Sequence, residues 1–282
     1  MGKPMAINLV KAGHRLWVWN RSPEPVSALV AAGAEAASIA RDAAEEADIV
    51  ISMLSDDETT TAIFIDAGVL EAMRPGTIHI NMATVSVACA RALERCHHDK
   101  GLHYVAAPVL GRVNVAEAGQ LHILAAGEAS ALHKAQPVFD CLGQKTWVLG
   151  ARPEQANAVK LAVNTMLAAA IGAMGEGIAL SQAYGVARTD FIDLITSTLF
   201  SAPAYKTYGT AIAGHHYEPA GFKLALGFKD VRLTVSAAET AHVPLPIANV
   251  LKDNLLDCLA HGEEHLDWAA AAEVPTRRSA QT

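Results

Sequence analysis

Short apolar runs alternate with longer stretches of helical period along the first half of the chain. The runs at residues 16–19, 48–53, 77–81, 103–106, 122–125 and 146–149 are rich in apolar and β-branched side chains, which predicts strands. Between them, apolar positions recur every three or four residues at 4–12, 25–32, 40–47, 87–100 and 129–141, which predicts amphipathic helices. Strands alternating with helices of this length build βαβ units and a mostly parallel sheet, whose ligands bind at the carboxyl ends of the strands.

The pattern changes near Gly150. An Ala-rich helical stretch follows, opened by Pro153, where a missing N–H is tolerated, and running to about Tyr184. Helical patterns at 190–198, 204–213, 224–242 and 246–261 come next, and strand alternation does not return. The expected fold is α/β, with a Rossmann-type doubly wound domain over residues 1–151 and an all-α domain over 152–282.

Composition narrows the function classes. A chain of 282 residues exceeds a usual single core, and 51% hydrophobic against 18% charged residues leaves ample material to bury. The net charge of -7, with no basic run, argues against a nucleic-acid partner. Every long apolar stretch is broken by a charge or strong polar group, and the opening residues lack an uninterrupted apolar core. No membrane span or signal peptide is therefore expected, and the location is read as cytoplasmic. Cys89, Cys96, Cys141 and Cys258 form no C-x-x-C pair and read as reduced, buried thiols. His97-His98 and His215-His216 have no Cys or carboxylate at ligand spacing; they read as surface or loop residues, and no metal site is expected. Ala-rich helices that cannot bury all their apolar surface point to self-association, as a homodimer or a homotetramer.

A dinucleotide-binding unit opens with a strand, then G-x-G-x-x-G, then a helix whose N-terminus receives the pyrophosphate. Here Met1-Gly2-Lys3-Pro4 leads directly into helical pattern, so Gly2 stands where the third glycine falls. The first strand and the first two glycines would then lie upstream of residue 1. The strand at 16–19 ends in Asn20-Arg21-Ser22, roughly 20 residues on, where this fold reads the adenosine ribose. An acid there would repel a 2′-phosphate. Arg21 offers a guanidinium fork suited to one, although an Arg at a strand end is also an ordinary turn residue. The expected cofactor is NADP(H), with NAD(H) the alternative.

The segment Met1-Gly2-Lys3-Pro4-Met5-Ala6-x-Asn8-Leu9-x-Lys11-Ala12-Gly13-His14, with Trp19-Asn20-Arg21, resembles the β-hydroxyacid dehydrogenase family. The likeness continues through Ser52-Met53-Leu54, Asn81-Met82-Ala83-Thr84-Val85, Ala107-Pro108-Val109-Leu110-Gly111, Lys160-x-x-x-Asn164, Lys229-Asp230 and Asp267-Trp268. That family includes 3-hydroxyisobutyrate dehydrogenases, semialdehyde reductases and imine reductases. The resemblance implies that Leu54 and Ser55 line the cofactor cleft, Thr84 and Lys229 lie near the nicotinamide, and the turn at 108–112 shapes the substrate pocket. It also implies that Lys160 and Asn164 are catalytic. Two features depart from the family pattern: Ser55 stands where a Pro is usual, and the substrate turn, commonly Pro-Val-Ser-Gly-Gly, is here Pro108-Val109-Leu110-Gly111-Arg112. The turn loses a hydroxyl and gains a cation able to grip a carboxylate.

Carbonyl reduction needs a hydride on one face and a proton for the forming alkoxide. Lys160 lies in an apolar run near the start of the long helix, with Asn164 one turn later on the same face. A Lys so placed is a suitable acid or base once desolvation and a nearby cation draw its pKa toward working pH. Three functions follow: reduction of a small semialdehyde or keto compound (or the reverse oxidation), imine reduction on the same scaffold, and a non-catalytic scaffold role. Retention of Lys160 and Asn164 favours the first; loss of the turn serine favours the second. The partner is in each enzymatic case a small-molecule substrate.

Overall fold

A computed structural model describes residues 1–279. The backbone forms two compact units, Met1–Lys160 and Leu161–Thr282.

In the first unit α1 (Gly2–Lys11) leads into β1 (Trp17–Val18), α2 (Pro23–Ala31), β2 (Glu35–Ala36) and α3 (Ala40–Glu45). There follow β3 (Ile49–Ser52), α4 (Asp57–Thr61) continuing as a π-helical turn (Ala62–Asp66), α5 (Val69–Ala72), β4 (Ile78–Asn81) and α6 (Val87–His98). The unit closes with β5 (His103–Ala106), β6 (Val109–Leu110), α7 (Val113–Glu117), β7 (Leu121–Ala126), α8 (Ala129–Leu142) and β8 (Gly143–Gly150). β1 and β2 pair in parallel as a two-stranded sheet. The other six strands form a second sheet in the order β3-β4-β5-β7-β6, with β8 also paired to β7.

β3, β4 and β5 run parallel with Ile49, Ile78 and His103 in line. β7 is antiparallel to β5 and β6. The predicted parallel sheet thus carries an antiparallel insertion. β2 and β6 escaped the sequence reading because each is two residues long and lacks the longer apolar run that marks β1 at 16–19: both β2 residues are exposed, and β6 is bounded by Pro108 and Gly111. Ile80, Val105, Leu121, Ile123, Phe139 and Leu142 fill the core on one face of the large sheet. Phe64, Val85, Leu93 and Tyr104 fill the other.

Capping sets the loops after β3 and β4. Asp56 opens α4 by accepting from Thr59 N at 2.7 Å, and Ser86 opens α6 by accepting from Cys89 N at 2.9 Å. Ser86 N also donates to Asp57 Oδ1 at 2.8 Å, which ties the two loops together.

In the second unit α9 (Glu154–Ala183, its first turns belonging to the first unit), α10 (Arg188–Ser197), α11 (Pro203–Ala213), α12 (Leu224–Thr240), α13 (Pro246–Ala260), a 3₁₀ turn (Trp268–Glu273) and α14 (Val274–Arg278) follow without a strand among the described residues. Ile171, Met174, Ile178, Ile212, Leu255 and Trp268 form its core. Gly175 permits the closest approach: a Cβ there would lie 2.5 Å from Ala272 O. Asp267 caps the 3₁₀ turn through Ala269 N at 3.0 Å, and its other oxygen accepts from Gly221 N and Phe222 N. α9 is long and apolar enough to cross a membrane, which the count of polar breaks did not register, because Glu176 is the one charge between residues 161 and 183. One face of α9 is buried in the unit's core, while Met166 and Leu180 stand exposed.

Candidate functional site

In the first unit a cleft of about 580 Å³ is lined by the start of α1, by β1 and its following turn, and by β3 and its following turn. Gly2, Asn20, Arg21, Ser22, Leu54 and Ser55 all line it, so six of the residues singled out in the sequence meet in one place. Gly2 begins α1 against Met53, and a Cβ on it would sit 3.6 Å from Met53 Cβ. Asn20 Nδ2 donates to Ser22 O at 3.0 Å, closing the turn that presents the exposed Arg21. Ser55 Oγ donates to Asp56 Oδ2 at 2.8 Å and lies 3.1 Å from Thr59 Oγ1. The charged side chains lining the cleft are Lys3 and Arg21, and no carboxylate lines it. An apolar body with a cationic mouth suits an aromatic ligand bearing phosphates, and so fits a nicotinamide dinucleotide.

The second unit gathers a different set. Asn164, on α9, is buried and donates from Nδ2 to Asp230 Oδ2 of α12 at 2.6 Å. A carboxylate only accepts, so the amide nitrogen must face it and the amide oxygen is left as an acceptor. Lys229 Nζ lies 3.2 Å from Asp230 Oδ1, and the Asp230 side chain is only 2% exposed. Thr234 Oγ1 donates to Asp230 O at 3.0 Å, and Thr165 Oγ1 donates to Thr234 Oγ1 at 2.9 Å, locking the two helices at this level. Asp230 thus joins Asn164 and Lys229. Lys160 lies one turn before Asn164 on the same helix and is half-buried.

The structure does not bring every candidate into these groups. Thr84 lies half-buried in the loop after β4, and it is not among the residues lining the cleft. Leu110, Gly111 and Arg112 form the end of β6 and the cap of α7, also away from the cleft lining. Gly111 adopts a φ of 142°, and a Cβ there would meet Leu121 Cδ2 at 2.8 Å, so the turn is built around glycine.

Sequence reasoning missed a buried relay beneath the cleft. His97 was read as a surface or loop residue; it is fully buried on α6. Its Nδ1 lies 2.7 Å from Leu93 O and must donate to it. His97 Nε2 then accepts from His79 Nδ1 at 2.9 Å, and His79 Nε2 accepts from Ser52 Oγ at 2.8 Å. Phe64 stacks on His79 with centroids 3.8 Å apart. Burial pushes His97 down to about 4 and holds His79 well below the usual imidazole range, with the neighbouring His97 adding to the second effect. The three residues lie on different elements, and nothing local in the sequence announces their meeting. Among the described residues no cluster suited to a metal occurs.

Comparison with known proteins places these features. Residues 1–150 match the family model of the NAD binding domain of 6-phosphogluconate dehydrogenase, and residues 155–274 match that of the NAD-binding domain of NADP-dependent 3-hydroxyisobutyrate dehydrogenase. The chain belongs to the β-hydroxyacid dehydrogenase family. An uncharacterized oxidoreductase of Bacillus subtilis, YfjR, is 40% identical over 96% of this chain and 94% of its own length. Glyoxylate/succinic semialdehyde reductase 1 of Arabidopsis thaliana is 31% identical over 97% of this chain and 94% of its own. Among solved structures, Mycobacterium tuberculosis 3-hydroxyisobutyrate dehydrogenase with L-serine superposes with a TM-score of 0.87 at 31% identity, covering 97% of this chain and 94% of that one. The chain is thus an oxidoreductase of the 3-hydroxyisobutyrate dehydrogenase type, working with a nicotinamide cofactor on a small molecule. Asp230, which contacts both Asn164 and Lys229, is a residue to which sequence reasoning assigned no role.

Proposed function

We propose that this family member interconverts a small semialdehyde or keto acid with its hydroxy acid, prefers NADP(H), and uses Lys160 as general acid and base. The observation that carries this reading is the Asp230 clamp on Asn164, one helical turn beyond Lys160. A carboxylate buried between one amide and one ammonium fixes both groups in place, as a site that must orient a substrate requires.

When bound, the nicotinamide supplies the hydride that reaches the carbonyl carbon. Lys160 Nζ gives its proton to the carbonyl oxygen as the alkoxide forms, and takes it back in the oxidation direction. Asn164, its nitrogen held by Asp230, offers its oxygen to orient donors at that site. Lys229 and Thr84 serve the nicotinamide end, with Leu54 and Ser55 on the cleft wall. Arg21 and Lys3 favour a phosphate at the adenosine end, which supports NADP(H) over NAD(H). Arg112, with Leu110 and Gly111, replaces a hydroxyl-bearing substrate turn by one with a guanidinium, suited to a carboxylate. Exposed Met166, Leu180, Tyr184, Leu194 and Leu199 on the helical unit favour a homodimer or homotetramer.

The test is NADPH oxidation with succinic semialdehyde and with glyoxylate, set against a cyclic imine. Lys160→Ala should leave NADPH affinity nearly intact while turnover with the carbonyl substrates falls at least 100-fold. Activity confined to the imine, or surviving the substitution, overturns the assignment. The turn Leu110-Gly111-Arg112, without its hydroxyl, is the observation that would then favour imine reduction.

A further inference from the structure

Three polar side chains converge on the loop between β4 and α6, the loop that carries Thr84. Asn81 Oδ1, at the end of β4, accepts from Ala83 N at 3.0 Å, and Asp57 Oδ1, on α4, accepts from Ser86 N at 2.8 Å. Asn81 is itself held, its Nδ2 donating to Tyr104 Oη at 3.1 Å. The third tether comes from α9: Asn157 Nδ2 donates to Val85 O at 3.4 Å. Thr84 thus has an anchored neighbour on each side.

The first turns of α9 are seated on this loop and on α6. Ala156 is fully buried in one core with Val85, Cys89, Ala90 and Leu93. The buried Glu154 lies with Oε1 3.3 Å from Arg91 Nε of α6. Apolar packing has no preferred direction and tolerates small slides along a helix. A hydrogen bond is directional and fixes register. Asn157 is 1% exposed, and with its nitrogen committed to Val85 O, its amide oxygen is buried without a hydrogen-bond partner. A Leu of similar volume would fill the space without that cost, which sets this polar contact apart from the packing around it. Residues 157, 160 and 164 are spaced by three and four, so Asn157, Lys160 and Asn164 share one face of α9. One helix face therefore carries both the proposed proton donor and the group that holds the Thr84 loop.

We infer, resting on the roles proposed for Lys160 and Thr84, that Asn157 is a positioning residue for hydride transfer. Its amide sets the loop that serves the nicotinamide against the helix that delivers the proton. It acts through Val85 on one side and through the backbone of α9 on the other.

Asn157→Leu removes the donor and keeps the volume, whereas Asn157→Gln keeps the donor on a longer arm. The assay uses NADPH with succinic semialdehyde or glyoxylate, whichever the parent turns over. The kcat of Asn157→Leu should fall about 10-fold with both KM values within about twofold, and Asn157→Gln should recover to within about threefold of the parent. In the protein without cofactor, amide exchange at Ala83 and Ser86 should quicken about 10-fold in Asn157→Leu while β5 and β7 keep their protection. Asn157→Ala, which also lacks the donor, takes its place if the Leu variant does not fold. Unchanged exchange at Ala83 and Ser86 overturns the proposal whatever kcat does. Exchange quickened equally across the first unit, or full turnover without the donor, overturns it as well. Activity surviving Lys160→Ala removes the reading beneath it, whereas failure of the tether alone shows as unchanged exchange in an enzyme that still needs Lys160.

Discussion

Acid should destabilise this protein through the histidine pair under the cleft. In the neutral relay each hydrogen bond has one donor and one acceptor, running Ser52 to His79 to His97 to Leu93 O. A proton added to either ring places N–H against N–H, or forces Ser52 to reverse. The folded state therefore resists protonation, and the unfolded state accepts it near the ordinary 6.5. Above that pH both states hold neutral rings, so the pair confers no pH dependence. As pH falls from 6.5 towards about 4, the unfolded chain binds protons that the folded chain does not, and stability is lost across that window. A folded-state value of about 4 for His97 corresponds to about 3 kcal/mol in all, of which about 2 kcal/mol is lost by pH 5. His79 acts in the same direction, and the two rings share one titration. Urea unfolding at pH 7.5 and 5.0 measures the loss. The comparison is His79→Leu/His97→Leu, which removes both titrating rings. The double variant should lose about 2 kcal/mol less than the parent between these pH values. If parent and variant decline equally, the relay is not what resists protonation.

Three further outcomes follow from the geometry. Asp230→Ala removes the acceptor of the buried Asn164 amide and the carboxylate beside Lys229; turnover should fall roughly 100-fold by misplacement, with about 2 kcal/mol lost in denaturant melts. Arg188 is 9% exposed and grips Glu273 through two bonds of 2.6 and 2.9 Å, so Arg188→Ala leaves a half-buried carboxylate and should cost about 3 kcal/mol, read by calorimetry. Arg21→Ala should weaken NADPH roughly 10- to 100-fold by titration calorimetry and leave NADH unchanged; equal weakening of both would refute its reading as the phosphate contact.

Much of the fold was legible because its central strands are short apolar runs bounded by turns. β3, β4 and β5 are of this kind, with the Asp56 cap following β3 and the Ser86 cap following β4. β2 and β6 were not, since these two-residue strands lie in no longer apolar run of the kind that marks β1. Among the cleft residues, Gly2, Asn20, Arg21 and Ser22 were legible by spacing, because a strand, its turn and the next helix fix their separations within about 20 residues, whereas Leu54 and Ser55 came only from the family resemblance. Asp230 and Asn164 are 66 positions apart, and His79 and His97 sit on a strand and a helix 18 apart. Such pairs are created by packing, and local pattern carries no trace of them.

The single helix that runs through the division at Lys160 and Leu161 bears on how such proteins can be recombined. A chimera joined at that division would draw Lys160 from one parent and Asn164 from the other, and would splice the two parents in mid-helix. A junction ahead of Glu154 transfers the entire helix and keeps the pair from one source. Exchange of substrate range between relatives should therefore succeed at residues 150–153 and fail at 160, although compactness alone would favour the later point.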